Sequence, residues 1–119
     1  MARLCVALLH STDAPDLAVC GLEAARAAAE AGKPVALWLA AEGVRLGAKG
    51  VAETLSGHGR PDVKAWLTTV IEKGGRVLLS KSCFERRGFA PDAVVEGARL
   101  AGPEALAVLV EEGFVPVSF

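Results

Sequence analysis

The sequence predicts an α/β fold: a mostly parallel sheet of about five strands with helices on both faces. Three observations carry this. Continuous apolar runs recur at Arg3 to Leu9, Val35 to Leu39, Arg76 to Leu79, Ala98 to Ala101 and Phe114 to Phe119, as in strands buried on both sides. Segments with apolar residues at helical spacing lie between them. Glycine and proline mark the joins, as at Gly32, Pro34 and Gly74. Alternation of strand and helix along the whole length argues for βαβ units, whose crossovers are right-handed.

Taken in order, the first strand ends in the polar turn His10-Ser11-Thr12-Asp13. Asp13 suits a helix cap and Pro15 a first helical turn. Leu17, Cys20, Gly21, Ala24 and Ala28 form the expected buried stripe of that helix, with Glu23, Arg26 and Glu30 off it. Gly32 stops the helix and Pro34 leads into the second strand. A short helix is expected over Glu42 to Lys49, weakened by Gly43, Gly47 and Gly50, and a loop over Leu55 to Pro61. Asp62 caps the next helix, whose apolar face is Val63, Trp66, Leu67 and Val70, and Gly74 ends it. After the third strand come Ser80-Lys81-Ser82-Cys83 and a basic segment, Phe84 to Arg87, closed by Gly88. A short helix from Pro91 to Gly97, a brief strand, a helix from Pro103 to Glu112 and a last apolar strand complete the chain.

A chain of 119 residues suits a single domain, 1–119, that buries about two-thirds of its unfolded surface and needs no disulfide or metal. An apolar content of 52% with 23% charged residues is globular and tilted toward burial, which leaves apolar surface for a subunit interface. Thirteen basic and 14 acidic residues are well mixed and give a net charge of −1, so nucleic acid is not an expected partner. The longest apolar stretch, Val35 to Ala41, falls short of the about 20 residues that span a bilayer. The run after Arg3 is shorter than the core of an export signal and passes straight into a polar turn. The expectation is a cytoplasmic protein with reduced thiols, and an odd count of three cysteines speaks against a disulfide framework.

Ligands of open α/β sheets bind where strands end in loops and helix N-termini. Three segments arrive there: His10 to Asp13, Ala40 to Gly43, and Ser80 to Cys83. The third carries the one cysteine outside a core pattern. Ser80 or Ser82 can cap the following helix, and Lys81, Arg86 and Arg87 add positive charge, an environment that lowers a thiol pKa and makes its sulfur a nucleophile. The same position also suits an inert, half-buried thiol at a strand–helix junction. Cys5 and Cys20 read as small core residues. His10 is either an acid, base or hydrogen-bond donor or the anchor of its turn. His58, between Gly57 and Gly59, reads as a loop residue that could reach a site as part of a lid. Asp13 reads as a cap and Glu42 as a first-turn carboxylate, neither with a visible partner. Cys5, Cys20, Cys83, His10 and His58 lack the paired spacing of a zinc motif. The glycines fit neither a dinucleotide fingerprint nor a P-loop, so no metal and no cofactor are expected.

The order and spacing of several segments resemble the DsrE/DsrF-like family of small sulfur-relay proteins. These are the opening strand with its polar turn and Pro15; Val35-Ala36-Leu37-Trp38-Leu39-Ala40-Ala41-Glu42-Gly43-Val44; Ser80-Lys81-Ser82-Cys83 running to Arg87-Gly88-Phe89; Glu96-Gly97-Ala98-Arg99-Leu100-Ala101-Gly102; and Val117-Ser118-Phe119. The resemblance implies a three-layer α/β/α fold and assembly into homo-trimers or hexamers. It also implies a cysteine, matched here by Cys83, that carries sulfur as a persulfide between a sulfur-donor and a sulfur-acceptor protein. Many relatives have a second cysteine where this chain has Ser80, so a local dithiol–disulfide cycle does not carry over. The expected function is a sulfur-carrier protein or sulfurtransferase with Cys83 as the site and His10, Glu42, Lys81 and Ser82 lining it. The alternative is a non-catalytic oligomeric protein that binds a small anion or metabolite near His10, Glu42 and Cys83. Thiol redox or peroxide chemistry is a third reading, and would need an external thiol.

Overall fold

The computed structural model describes residues 2–57 and 59–119. In chain order the elements are β1 (Arg3–Leu8), α1 (Pro15–Glu30), β2 (Val35–Leu39), 3₁₀ segments Ala41–Gly47 and Ala52–Leu55, α2 (Val63–Glu72), β3 (Arg76–Ser80), α3 (Lys81–Arg86), a 3₁₀ turn Pro91–Ala93, β4 (Ala98–Ala101), α4 (Glu104–Glu111) and β5 (Phe114–Ser118). The strands form one sheet in the order β4-β3-β2-β1-β5, and every pairing is parallel.

This order explains the layers. The chain steps in one direction from β1 to β4, and α4 then carries it back across the sheet to β5 beside β1. Reversing direction with right-handed crossovers puts α4 on the face opposite α1 and α2. Strand residues alternate accordingly. Val6, Leu8, Leu37, Leu39, Val77 and Leu79 pack with Ala18, Leu22 and Ala25 of α1, Val63, Leu67 and Val70 of α2, and Phe84 of α3. Cys5, Ala36, Trp38, Leu78 and Phe114 pack with Leu109 of α4. Burying one such Leu or Phe side chain contributes about 1.5–3 kcal/mol.

The second face is thinly covered. Only Leu109 of α4 is fully buried, while Val108 and Val110 stay 49% and 57% exposed. On the edge strand β5, Val115 and Val117, in register with Leu4 and Val6, are exposed on the opposite, α1-side face. Among the described residues no helix is long and apolar enough to cross a membrane.

Three local readings differ from the sequence expectation. The segment after β2 is 3₁₀ rather than α-helical. It is pressed against β1 at Gly43, where a Cβ would collide with the Leu8 carbonyl oxygen, and so tight an approach leaves no room for a regular helix. The segment from Pro91 is likewise a 3₁₀ turn that ends at Ala93. In α1 the buried face is Ala18, Gly21, Leu22, Ala25 and Ala29, so Leu17 and Cys20 of the expected stripe face outward. Alanines on every side of this helix dilute the periodic signal that would fix its face.

Candidate functional site

Paired strands bring the candidate residues together. Leu39 of β2 lies opposite Leu79 of β3, so Ala40–Ala41 and Ser80–Lys81 leave the sheet side by side. Ser80 is the N-cap of α3, and its Oγ accepts the Cys83 N–H at 3.4 Å. Of the two serines the sequence offers, Ser80 is the cap, since a serine three residues ahead satisfies an amide with no partner inside the helix. At the other end the sequence Phe84-Glu85-Arg86-Arg87-Gly88-Phe89 closes α3. Gly88 takes φ 81°, its N–H bonds the Glu85 carbonyl, the Phe89 N–H bonds the Phe84 carbonyl, and the two phenyl rings stack at 4.8 Å. Glycine-dependent closure of this kind fixes where Arg86 and Arg87 project.

Cys83 is half-buried and free. Arg86 Nη2 lies 3.5 Å from its sulfur. Partial burial pushes the thiol pKa up. The Ser80 hydroxyl, the Ala41 N–H and the Arg86 guanidinium together outweigh that, so the pKa lies below the ordinary thiol value. With only six residues in α3, these named donors do more than a helix dipole could. Ala41 has φ 50° and is the one non-glycine residue in the left-handed region among those described, a conformation that costs about 1–2 kcal/mol.

Glu42 has two partners that the sequence did not reveal. Arg45 Nε donates to its Oε1 at 2.8 Å, and Arg87 Nε donates to its Oε2 at 2.7 Å. Hydrogen bonds from Arg87 and Arg45 hold its carboxyl below the usual carboxylate range. Arg87 also donates through Nη1 to the Cys83 carbonyl at 3.0 Å. Ala41, Arg45 and the Glu42–Arg87 link therefore belong to the site. An alanine gives no sign of a left-handed backbone, and a pair separated by 45 positions leaves no local pattern.

The remaining candidates sit farther out. Lys81 is exposed and lies 3.9 Å from Glu85. Ser82 is exposed and, with Ser80, Lys81, Glu85, Ala101, Gly102 and Pro103, lines a depression of about 280 Å³ beside α3. His10 Nδ1 lies 2.8 Å from Asp13 Oδ2, and Asp13 Oδ1 accepts the Ser11 N–H at 2.8 Å. Asp13 is thus committed to its own turn and does not cap α1, whose N-cap is Ala14, with no side-chain bond. The hydrogen bond from His10 holds the Asp13 carboxyl low. Among the described residues no polar contact joins His10 to the Cys83 group. His58 lies outside the described residues. A larger cleft of about 460 Å³, lined by Lys64, Thr68, Ile71, Glu72, Glu96 and Gly97, contains none of the candidates. No cluster of three His, Cys, Asp or Glu side chains gathers to hold a metal among the described residues. Burial raises the pKa of Cys5, and a thiol kept protonated is a poor nucleophile.

The model of the DsrE/DsrF-like family matches residues 3–119. No curated protein matches the sequence. Among solved structures, the YchN protein of Escherichia coli superposes with a TM-score of 0.85 at 17% identity, over 100% of both chains. The protein of unknown function MTH1491 of Methanobacterium thermoautotrophicum gives a TM-score of 0.72 at 12% identity, again over 100% of both. The conserved protein of unknown function BT1422 of Bacteroides thetaiotaomicron gives 0.61 at 17%, over 97% of this chain and 94% of that one. At such identities the likeness establishes the fold.

Proposed function

The chain belongs to the DsrE/DsrF-like family, and from that premise we propose that it is a sulfur-carrier protein or sulfurtransferase that holds a persulfide on Cys83. The observation that carries the reading is the Arg86 guanidinium 3.5 Å from a partly exposed sulfur, whose pKa lies below the ordinary thiol value. In the loading step the Cys83 thiolate attacks the outer sulfur of a donor persulfide. The new S–S bond forms at Cys83, the donor's S–S bond breaks, and the donor leaves as a thiolate with the electron pair. No net oxidation occurs. In the unloading step an acceptor thiolate attacks the same outer sulfur and Cys83 leaves as the thiolate. Its lowered pKa makes Cys83 a good leaving group, and Arg86 offsets the negative charge in both states.

No other cysteine is placed to close a disulfide on Cys83: Cys5 is buried and Cys20 lies on the exposed face of α1. A persulfide on Cys83 therefore waits for a partner thiol, which calls for a separate sulfur-donor and sulfur-acceptor protein in the reducing cytoplasm. The apolar residues left exposed on α4 support assembly into a homo-oligomer with the α4 face between subunits, and the family resemblance implies a trimer or hexamer. Cyanolysis tests the carrier role. Chain loaded from a persulfide donor, freed of excess donor and treated with cyanide releases thiocyanate in proportion to protein, whereas Cys83→Ser releases none while keeping its circular dichroism. Equal release from the variant would remove the proposal.

A further inference from the structure

Glu42 uses both of its carboxylate oxygens within the molecule. One is held by Arg45 of its own segment and the other by Arg87 of the helix that carries the thiol. We infer that Glu42 is a positioning residue for the Cys83 sulfur, acting through Arg87, which holds the Cys83 carbonyl, to keep the thiol against Arg86; the inference rests on the reading of Cys83 as the persulfide site. Three features carry it. Glu42 directly follows Ala41, whose left-handed backbone relaxes unless its neighbours hold it. Arg87 forks between the Glu42 carboxylate and the Cys83 carbonyl, so one guanidinium ties the end of the β2 loop to the thiol's own backbone. On the other side of Glu42, Gly43 is fixed against Leu8 and its N–H bonds the Ala40 carbonyl at 2.9 Å.

A surface ion pair of this kind adds little to stability, so stability is not its main effect. A ligand role fares no better, because a bound cation would have to displace two guanidinium groups. Around Cys83, α3 brings Arg86 to the sulfur and its C-cap Arg87 holds the Cys83 carbonyl. The 3₁₀ segment brings Glu42, paired with Arg87 and with Arg45 of the same segment, and β3 brings the uncharged Ser80.

That inventory gives the test a sign. As a mere charge, Glu42 opposes the thiolate, and its neutralisation would move the thiol midpoint down. As a positioning residue it helps the thiolate, and its neutralisation moves the midpoint up because Arg87 loosens its hold and the sulfur drifts from Arg86. The experiment is the pH profile of iodoacetamide alkylation, mapped to Cys83 by peptide mass, in the wild type, Glu42→Gln and Arg87→Lys. Arg87→Lys keeps the charge and loses the fork, and it provides a second reading should Glu42→Gln fold poorly. Both variants are expected to move the midpoint upward and to lower the rate at pH 7 by roughly three- to tenfold, tenfold being one pKa unit. A midpoint that is unmoved in both, or that moves down in Glu42→Gln, overturns the inference. Upward shifts in a chain that takes no sulfur would uphold it and sink the carrier reading instead.

Discussion

The Arg87 guanidinium donates to the Cys83 carbonyl at 3.0 Å and to the Glu42 carboxylate at 2.7 Å. The segment after β2 is thus tied to the helix after β3, and next to Glu42 in that segment Ala41 holds a left-handed backbone, φ 50°. Glycine adopts this backbone without the steric cost that alanine bears. Ala41→Gly should therefore raise stability by about 1 kcal/mol in urea unfolding and leave the Cys83 alkylation midpoint in place. A loss of stability would mean that the strain at Ala41 is not real.

Ser80 has two tasks, capping α3 and serving the sulfur. Ser80→Ala removes both. Stability should fall by about 1 kcal/mol, the usual worth of a cap, and the alkylation midpoint of Cys83 should rise. Denaturant titration and the pH–rate profile check the two effects separately; a fall in stability with an unmoved midpoint would leave Ser80 as a cap alone.

The lowered Cys83 pKa also links pH to folding. An acid whose folded pKa is depressed adds stability above its unfolded value and loses it as pH falls through the folded value. The stability of the wild type relative to Cys83→Ser should therefore be flat below the folded pKa. It should climb between that and the ordinary thiol value, about 8.5, and level off above. Urea unfolding of both proteins from pH 6 to about 9.5 checks this, and a difference that declines with rising pH would show that the thiol pKa is raised instead.

Much of the fold is legible in the sequence because parallel strands covered on both sides must be apolar throughout. Val35–Leu39 and Ala98–Ala101 match the sequence-based bounds, and the other strands differ by a residue or so at their ends. A serine cap before Cys83 and the Gly88 stop are equally plain, since each follows from local chemistry, while the choice of Ser80 over Ser82 comes from where β3 ends. What the sequence hides is long-range or alanine-borne. Nothing around Glu42 names Arg87, Ala41 carries no mark of its φ, and the alanines of α1 conceal which side of that helix faces out, so Cys20 reads as buried. Asp13 looks like a cap by its position, yet His10 and Ser11 engage it first.

The thin layer over the second sheet face bears on assembly. Val110 is 57% exposed on α4, and a subunit interface would cover it. Val110→Glu should dissociate a wild-type trimer or hexamer to monomer in light scattering while the secondary structure persists. A wild type that is already monomeric at high concentration would contradict the assembly.

The central claim is that Cys83 holds sulfur. Intact mass of the purified chain, recorded after incubation with a persulfide donor and again after reduction, tests it most directly. The account predicts a gain of one sulfur, about 32 Da, that maps to Cys83 and is lost on reduction. An unchanged mass with all three thiols free, or a gain that maps to Cys20, would contradict it.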